Sequence, residues 1–202
     1  MSDKETTLKE KFRLALTSTA KVISDDFELV DKSSDKKKTK NPSIIEISHL
    51  NNPSDFTRLR AETDSAALKK KFSSDVIYKK NLPSNNSSRS LYNIAEKIRY
   101  EALGGKMLKG IEKNFNDNYS QIINRKRKDQ LKTKEDVSIT EAFELYMLKN
   151  FHNIKLNSLT SKMLNFWEKD FDQSINKHIK FLKDNFENQN NYSSKFSKIF
   201  KN

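Results

Sequence analysis

Apolar residues recur along most of this chain at helical rather than strand spacing. Between residues 7 and 23, Leu8, Phe12, Ala15, Leu16 and Ile23 share a face and predict a first helix. Pro53-Ser54 opens a second pattern that runs to about Phe72. Ser54 is its expected N-cap, and Phe56, Leu59, Thr63 and Ala67 form its apolar face. Leu91, Ile94, Ala95, Ile98 and Ala102 make a clear stripe and predict a third helix over 90–103, and a further helix is expected from Lys106 to about Asn124. Ser138-Ile-Thr-Glu141 reads as a capping box, in which the Ser and Glu side chains each satisfy a first-turn N–H. It opens a helix carrying Ala142, Phe143, Tyr146, Met147 and Phe151. Leu159, Met163, Phe166 and Trp167 continue the apolar pattern, with Trp167 assigned to the core. Ile175, Ile179, Leu182 and Phe186 form one more stripe. After the polar stretch 188–194, Phe196, Ile199 and Phe200 add a last short helix.

Two segments depart from that period. Phe27-Glu-Leu-Val30 and the β-branched Ser43-Ile-Ile-Glu-Ile-Ser48, bounded by Pro42, predict short strands. Pairing across the Lys- and Ser-rich loop 32–41 gives a small β-hairpin at about 27–48. Residues 79–88, with Pro83 and Asn85-Asn86, are expected to form a loop. Residues 125–137 are charged and lack an apolar period, so they are expected to form a mobile linker. The expected fold is therefore mainly α, a helical domain with a small β-hairpin near the N-terminus. Its N-terminal helical part covers 1–124, the linker 125–137, and a C-terminal helical part 138–202 packs on the first as one domain.

Composition narrows the function classes. Apolar residues are 34% and charged residues 33%, enough for one modest core. There is no Cys, which excludes disulfides and thiolate metal sites. Met1-Ser-Asp-Lys-Glu5 has no apolar core of a signal peptide, and no apolar run approaches the roughly 18 residues of a membrane span. A soluble cytoplasmic protein is expected. The net charge of +12 would ordinarily point to nucleic acid. Here Lys far outnumbers Arg and Asn is about a tenth of the chain, the drift of an AT-rich genome. The basic clusters 36–38, 69–71 and 125–128 have no interleaved aromatic residues on which bases could stack, and read as solvated faces. A basic helical nucleic-acid-binding protein is the alternative reading.

Candidate chemistry is sparse. All three glycines, Gly104, Gly105 and Gly110, fall in one short stretch, and such economy marks positions where the backbone needs them. Gly104-Gly105 is expected to stop the third helix. Gly105-Lys106 is not a phosphate loop, because it follows a helix and Met107 stands where Ser or Thr is required. His49, His152 and His178 have no helical-spacing partner, so no metal site is expected. No nucleophile elbow occurs, and no catalytic or cofactor-binding residue is assigned. Two charged pairs stand out. Arg60 and Asp64, four residues apart, border the second helix's apolar face, and Arg99 and Glu101 border the third's. A charge beside an apolar stripe needs a partner, since desolvating it alone costs several kcal/mol. A structural ion-pair network, within a helix or crossed between the two, and a partner-docking role both satisfy that need.

Arg60-Ala-Glu-Thr-Asp-Ser-Ala-Ala-Leu68, Arg89-Ser-Leu-Tyr-Asn-Ile-Ala-Glu-Lys-Ile-Arg-Tyr-Glu-Ala-Leu-Gly104 and Lys106-Met-Leu-Lys-Gly-Ile111 together resemble the N-terminal region of the CobT family, a subunit of aerobic, ATP-dependent cobaltochelatase. The resemblance places Arg60, Asp64, Ala67, Leu68, Arg89, Arg99, Glu101, Gly104 and Gly110 on family positions. Leu164-Asn-Phe-Trp-Glu168 resembles the family's Leu-Trp segment, so the likeness runs from about residue 55 to near the C-terminus. Ala61 replaces a family Gly, and Phe72-Ser73 stands where a His-His pair often occurs, so no metal or tetrapyrrole role carries over there. The family continues through an acidic linker into a von Willebrand A-type domain. No Asp-x-Ser-x-Ser of that domain is present here, and a fragment or a second domain on a separate polypeptide is expected.

The resemblance implies a non-catalytic subunit supporting Co²⁺ insertion into the corrin ring of hydrogenobyrinic acid a,c-diamide in cobalamin (vitamin B12) biosynthesis. It implies partners: an AAA+ ATPase subunit and a large chelatase subunit, in a ring-type oligomeric assembly. ATP, Mg²⁺ and Co²⁺ would be used by the complex and none bound by this chain. The helices bearing Arg60/Asp64 and Arg99/Glu101 would form the scaffold, one exposed face of which docks the ATPase.

Overall fold

The computed structural model describes residues 3–27, 52–125 and 131–200, and these are almost wholly helical. The chain divides into two compact units, Met1–Lys71 and Phe72–Asn202. The expected hairpin falls almost entirely on residues 28–51, outside the described residues. Among the described residues there is no strand, and Phe27 lies in a turn.

The first unit holds α1 (Asp3–Ser24) and α2 (Pro53–Phe72). Leu16 of α1 packs on Leu59 of α2, and the Phe12 and Phe56 rings meet at 4.8 Å beside them. Leu16 and Ile23, expected on the buried face of α1, are buried, as is Ala20, whereas Leu8 and Ala15, expected on the same face, are exposed. Asp25 ends α1 in the left-handed region at φ 59°, a conformation Asp tolerates better than bulkier residues, and Asp26 N–H returns to the Lys21 carbonyl at 3.1 Å. The carboxylates of Asp26 and Asp25 then pair with Lys70 and Lys71 at the end of α2.

The second unit begins with a helix that the sequence pattern did not indicate. Ser74 caps α3 (Asp75–Asn81), part of which was expected to be loop. Asn85 caps α4 (Asn86–Met107), its side chain accepting from Ser88 N–H at 2.7 Å. After α4 come α5 (Lys109–Arg125), α6 (Ile139–Phe151), α7 (Ser158–Asn165), α8 (Glu168–Ile175), α9 (Ile179–Asp184) and α10 (Gln189–Ile199). α4 is central, packing on α5, α6 and α10. Around it Tyr92, Phe115, Tyr119, Phe143, Tyr146, Tyr192 and Phe196 are buried, and their large side chains dominate the core.

Two expectations change here. The glycine pair does not stop α4. No described glycine has positive φ, so Gly104 and Gly105 continue the helix, which closes when Leu108 N–H bonds the Gly104 carbonyl at 2.9 Å. Of the charged stretch 125–137 expected as a linker, residues 126–130 lie outside the described residues, and 131–137 form an ordered turn. Leu131 and Val137 are buried, and the turn between them is closed by Asp136, which accepts from Lys132 N–H at 2.9 Å and Thr133 N–H at 2.8 Å. Trp167 is only partly buried. Its indole N–H donates to the Val137 carbonyl at 3.0 Å, and the Lys134 ammonium sits 4.1 Å from its ring centroid, so it clamps that turn to α8. The expected capping box at Ser138 forms its first half, with Glu141 N–H donating to Ser138 Oγ at 3.2 Å.

Candidate functional site

The charged residues that stood out in the sequence lie on α2 and α4, and burial sorts them. Arg99 is 0% exposed and Glu101 1%, although the stripe of α4 put both at its margins. α4 is covered on more than one side, so a margin position is interior.

Arg99 is held on every side in the second unit. Its Nε donates to Glu96 Oε2 at 3.3 Å, its Nη1 to the Phe186 carbonyl at 3.0 Å, and its Nη2 to the Phe72 carbonyl at 2.7 Å and Ser73 Oγ at 3.1 Å. Four of the five guanidinium N–H donors are thereby engaged, one from Nε, one from Nη1 and two from Nη2. Glu96, also buried, accepts in turn from Gln189 Nε2 at 3.2 Å and from the Ser193 hydroxyl. Gln189 closes the circuit, accepting from Ser74 N–H at 2.7 Å. Tyr192 adds a bond to the Ala95 carbonyl at 2.8 Å. The network joins the 72–74 segment, α4, the Phe186 turn and the start of α10. A buried charge pair is tolerable only when its remaining donors and acceptors are largely met, and here all but one of the guanidinium N–H groups are.

Glu101 has a different partner. Tyr119 of α5 donates to Glu101 Oε2 at 2.5 Å. Burial, then the Glu101 charge and the bond to it, hold the Tyr119 phenol well above its usual 10. In α2, Arg60 Nε lies 3.8 Å from Asp64 Oδ2, with Asp64 fully buried and Arg60 partly exposed. Arg60 thus pairs with Asp64 within α2, one of the two pairings the sequence allowed, whereas Arg99 pairs with Glu96 and Glu101 accepts from the neutral Tyr119 phenol. Glu96, Gln189 and Ser193 were not singled out. Glu96 was findable, because it stands three residues before Arg99 on the same helix, the spacing of facing side chains. Gln189 and Ser193 come from almost a hundred residues away and leave no local sign.

The remaining candidates are dispersed. Gly104 is buried, Gly105 intermediate and Gly110 exposed. A Cβ at Gly105 would meet Glu112 Cβ at 3.4 Å, an ordinary van der Waals contact. His152 caps the end of α6 between the rings of Phe115 and Tyr119, at 6.4 and 6.0 Å, and burial lowers its pKa to about 4. His178 follows α8, and His49 lies outside the described residues. Among the described residues no group of three or more His, Asp or Glu is placed to hold a metal ion, and no helix is long and apolar enough to cross a membrane. Of the basic clusters, 36–38 and 126–128 lie outside the described residues, and two lysines of 69–71 are paired with Asp25 and Asp26. A surface cavity of about 370 Å³ opens between α6 and α7, lined by Lys149, Ile154, Lys155 and Leu164 among others. Lys149 there is tied to Glu168 at 2.6 Å.

These arrangements are scaffold chemistry: charges fixed by carbonyls and hydroxyls from distant segments. The model of a family described as "Cobalamin biosynthesis protein CobT" matches residues 7–202, nearly the whole chain. No curated protein and no solved structure matches. The chain belongs to the CobT family, which places it in cobalamin biosynthesis and with cobaltochelatase.

Proposed function

We propose that this CobT-family chain is a non-catalytic subunit of ATP-dependent cobaltochelatase. In this reading Co²⁺ is the substrate, inserted into the corrin ring of hydrogenobyrinic acid a,c-diamide with formation of metal–nitrogen bonds. An AAA+ partner binds ATP and Mg²⁺, a large subunit holds the corrinoid, and this chain couples the two in a ring-type assembly in the cytoplasm. The observation that carries the reading is the family match over residues 7–202.

The geometry supports it in a specific way. A coupling subunit must pass force between partners without deforming, and proteins do so through rigid packed elements rather than soft ones. Arg99 and Glu96 bind four separated segments of the second unit into one buried network. Arg60 and Asp64 are assigned the same scaffold role in α2, and Arg99 and Glu101 in α4. Docking to the ATPase falls to exposed residues of those helices.

The test is reconstitution. The purified chain is passed over a sizing column with the AAA+ subunit of the same organism and MgATP at physiological salt, and cobalt insertion is then followed with the large subunit added. Stable co-elution and chain-dependent insertion are expected. A folded chain that neither co-elutes nor raises insertion overturns the reading. Tight binding to duplex DNA that weakens steeply with salt would favour the nucleic-acid alternative.

A further inference from the structure

The elbow between α4 and α5 leaves a glycine and two apolar side chains half open to solvent. Met107 is 39% exposed and Leu108 50%. Two residues on, Gly110 sits in the first turn of α5 with no positive φ, and a Cβ added there meets nothing within 4 Å. Neither backbone strain nor packing within the chain calls for Gly at that position. In a helix it is the weaker choice, destabilising by about 1 kcal/mol relative to Ala. The chain has only three glycines, so one kept where Ala would fit better is informative. A bare Cα on an exposed helical turn provides room for a second backbone to approach.

The surrounding charges say what kind of backbone. Lys106, Lys109 and Lys113 are exposed and, among the described residues, none of them is in an ion pair. Glu112 is the one acid within 106–113, and Lys106 lies over the Phe186 ring at 5.3 Å. We infer that the Met107–Gly110 elbow is a docking point for an acidic protein segment that lays an apolar side chain on Met107 and Leu108, passes its backbone against Gly110, and sets carboxylates against Lys106, Lys109 and Lys113. A small apolar centre with a charged rim is the anatomy of a protein contact. A single strand would call for exposed rings for stacking, a duplex would leave Met107 and Leu108 facing phosphates, and two apolar side chains are too few to anchor the chain in a bilayer. The inference is independent of which complex the chain serves.

The test uses the full-length ¹⁵N-labelled chain and a synthetic helical peptide with Leu at i and i+4 flanked by Glu, beside a control in which every Glu is Lys. Amide shifts centred on 106–113 are expected with the acidic peptide alone. Gly110→Ala is the deciding variant. It is expected to raise the melting temperature, through helix propensity, yet weaken peptide binding about tenfold. A residue with a purely structural role cannot move those two readouts in opposite senses. Met107→Gln/Leu108→Gln is expected to abolish the shifts in a folded sample. The inference is overturned by shifts centred elsewhere or absent, by Gly110→Ala binding as tightly as the parent, or by duplex DNA or phosphatidylserine vesicles perturbing the same amides equally. Co-elution with the AAA+ subunit reads the functional proposal separately, so either can fail alone.

Discussion

The Arg99 guanidinium donates to the Phe186 carbonyl oxygen at 3.0 Å, joining residues 87 positions apart in the sequence. Through Arg99 the turn before α10 is fastened to the middle of α4, and Glu96 extends the bond network into α10 itself. Replacing Arg99 by Met leaves the Glu96 carboxylate buried without its cation and the Phe72 and Phe186 carbonyls without donors. The expected loss is about 3–5 kcal/mol in urea unfolding. The double variant Arg99→Met/Glu96→Leu should recover part of it, because removing both charges ends the desolvation penalty. A double variant no more stable than Arg99→Met would mean that the carbonyl bonds, not the charge pair, dominate.

Tyr119 and Glu101 make the same argument on a smaller scale. Tyr119→Phe removes the donor at 2.5 Å from a buried carboxylate, and a loss of about 1.5–3 kcal/mol is expected. Burial also raises the phenols of Tyr78, Tyr92, Tyr146 and Tyr192. Titration at 295 nm should therefore show most of the six tyrosines ionising above pH 10, together with alkaline unfolding rather than before it. A full phenolate signal from a folded chain at pH 10.5 would contradict the burial described.

How much of this was readable in the sequence depends on range. α2 was placed correctly from Pro53 to Phe72, and the Leu91/Ala95/Ile98 stripe does face the core. These are local patterns set by the 3.6-residue period. What failed was local context overridden by distant partners. Arg99 looked marginal because a single stripe implies a single buried face, whereas α4 packs on three helices. The run 188–194 showed only as a polar stretch ahead of the last helix, yet it starts α10, because Gln189 and Ser193 find Glu96 and Ser74 across the fold. α3 was missed because its seven residues are too few to display a period. The glycine pair was read as a helix stop on residue type, but neither glycine takes a positive φ and α4 runs on to Met107.

Trp167 controls how firmly the 131–137 turn is held. Its indole N–H meets the Val137 carbonyl, and its ring carries Lys134. Trp167→Phe keeps much of the apolar area and loses the hydrogen bond, so only about 1 kcal/mol of global stability should go. Local opening should rise more than that, because the bond lies at the edge of the unit rather than in its core. Trypsin cleavage after Lys132 and Lys134 is expected to quicken several-fold while the melting temperature falls by only about 2–4 °C. Cleavage rates equal to the parent would show that Leu131 and Val137 hold the turn without help.

His152 gives the fold an acid limit that can be assigned to one residue. Burial against Phe115 and Tyr119 lowers its pKa to about 4 from 6.5; a bond to the Ile98 backbone opposes the shift, and the nearby Lys97 charge adds to it. Its Nε2 has no hydrogen-bond partner among the described residues, so a proton there gains nothing to offset its desolvation. In the unfolded chain the imidazole takes up its proton near pH 6.5. Between about pH 6.5 and pH 4 the unfolded state therefore binds more protons than the folded one, and stability falls as pH falls through that window. That stability is fully present above pH 6.5, and about 2–3 kcal/mol of it is lost by pH 4. His152→Gln has no proton to take up, so its unfolding free energy should change less between pH 7 and pH 4.5 than that of the parent. Parallel curves for the two proteins would mean that the imidazole stays solvated and that acid sensitivity arises in the carboxylates.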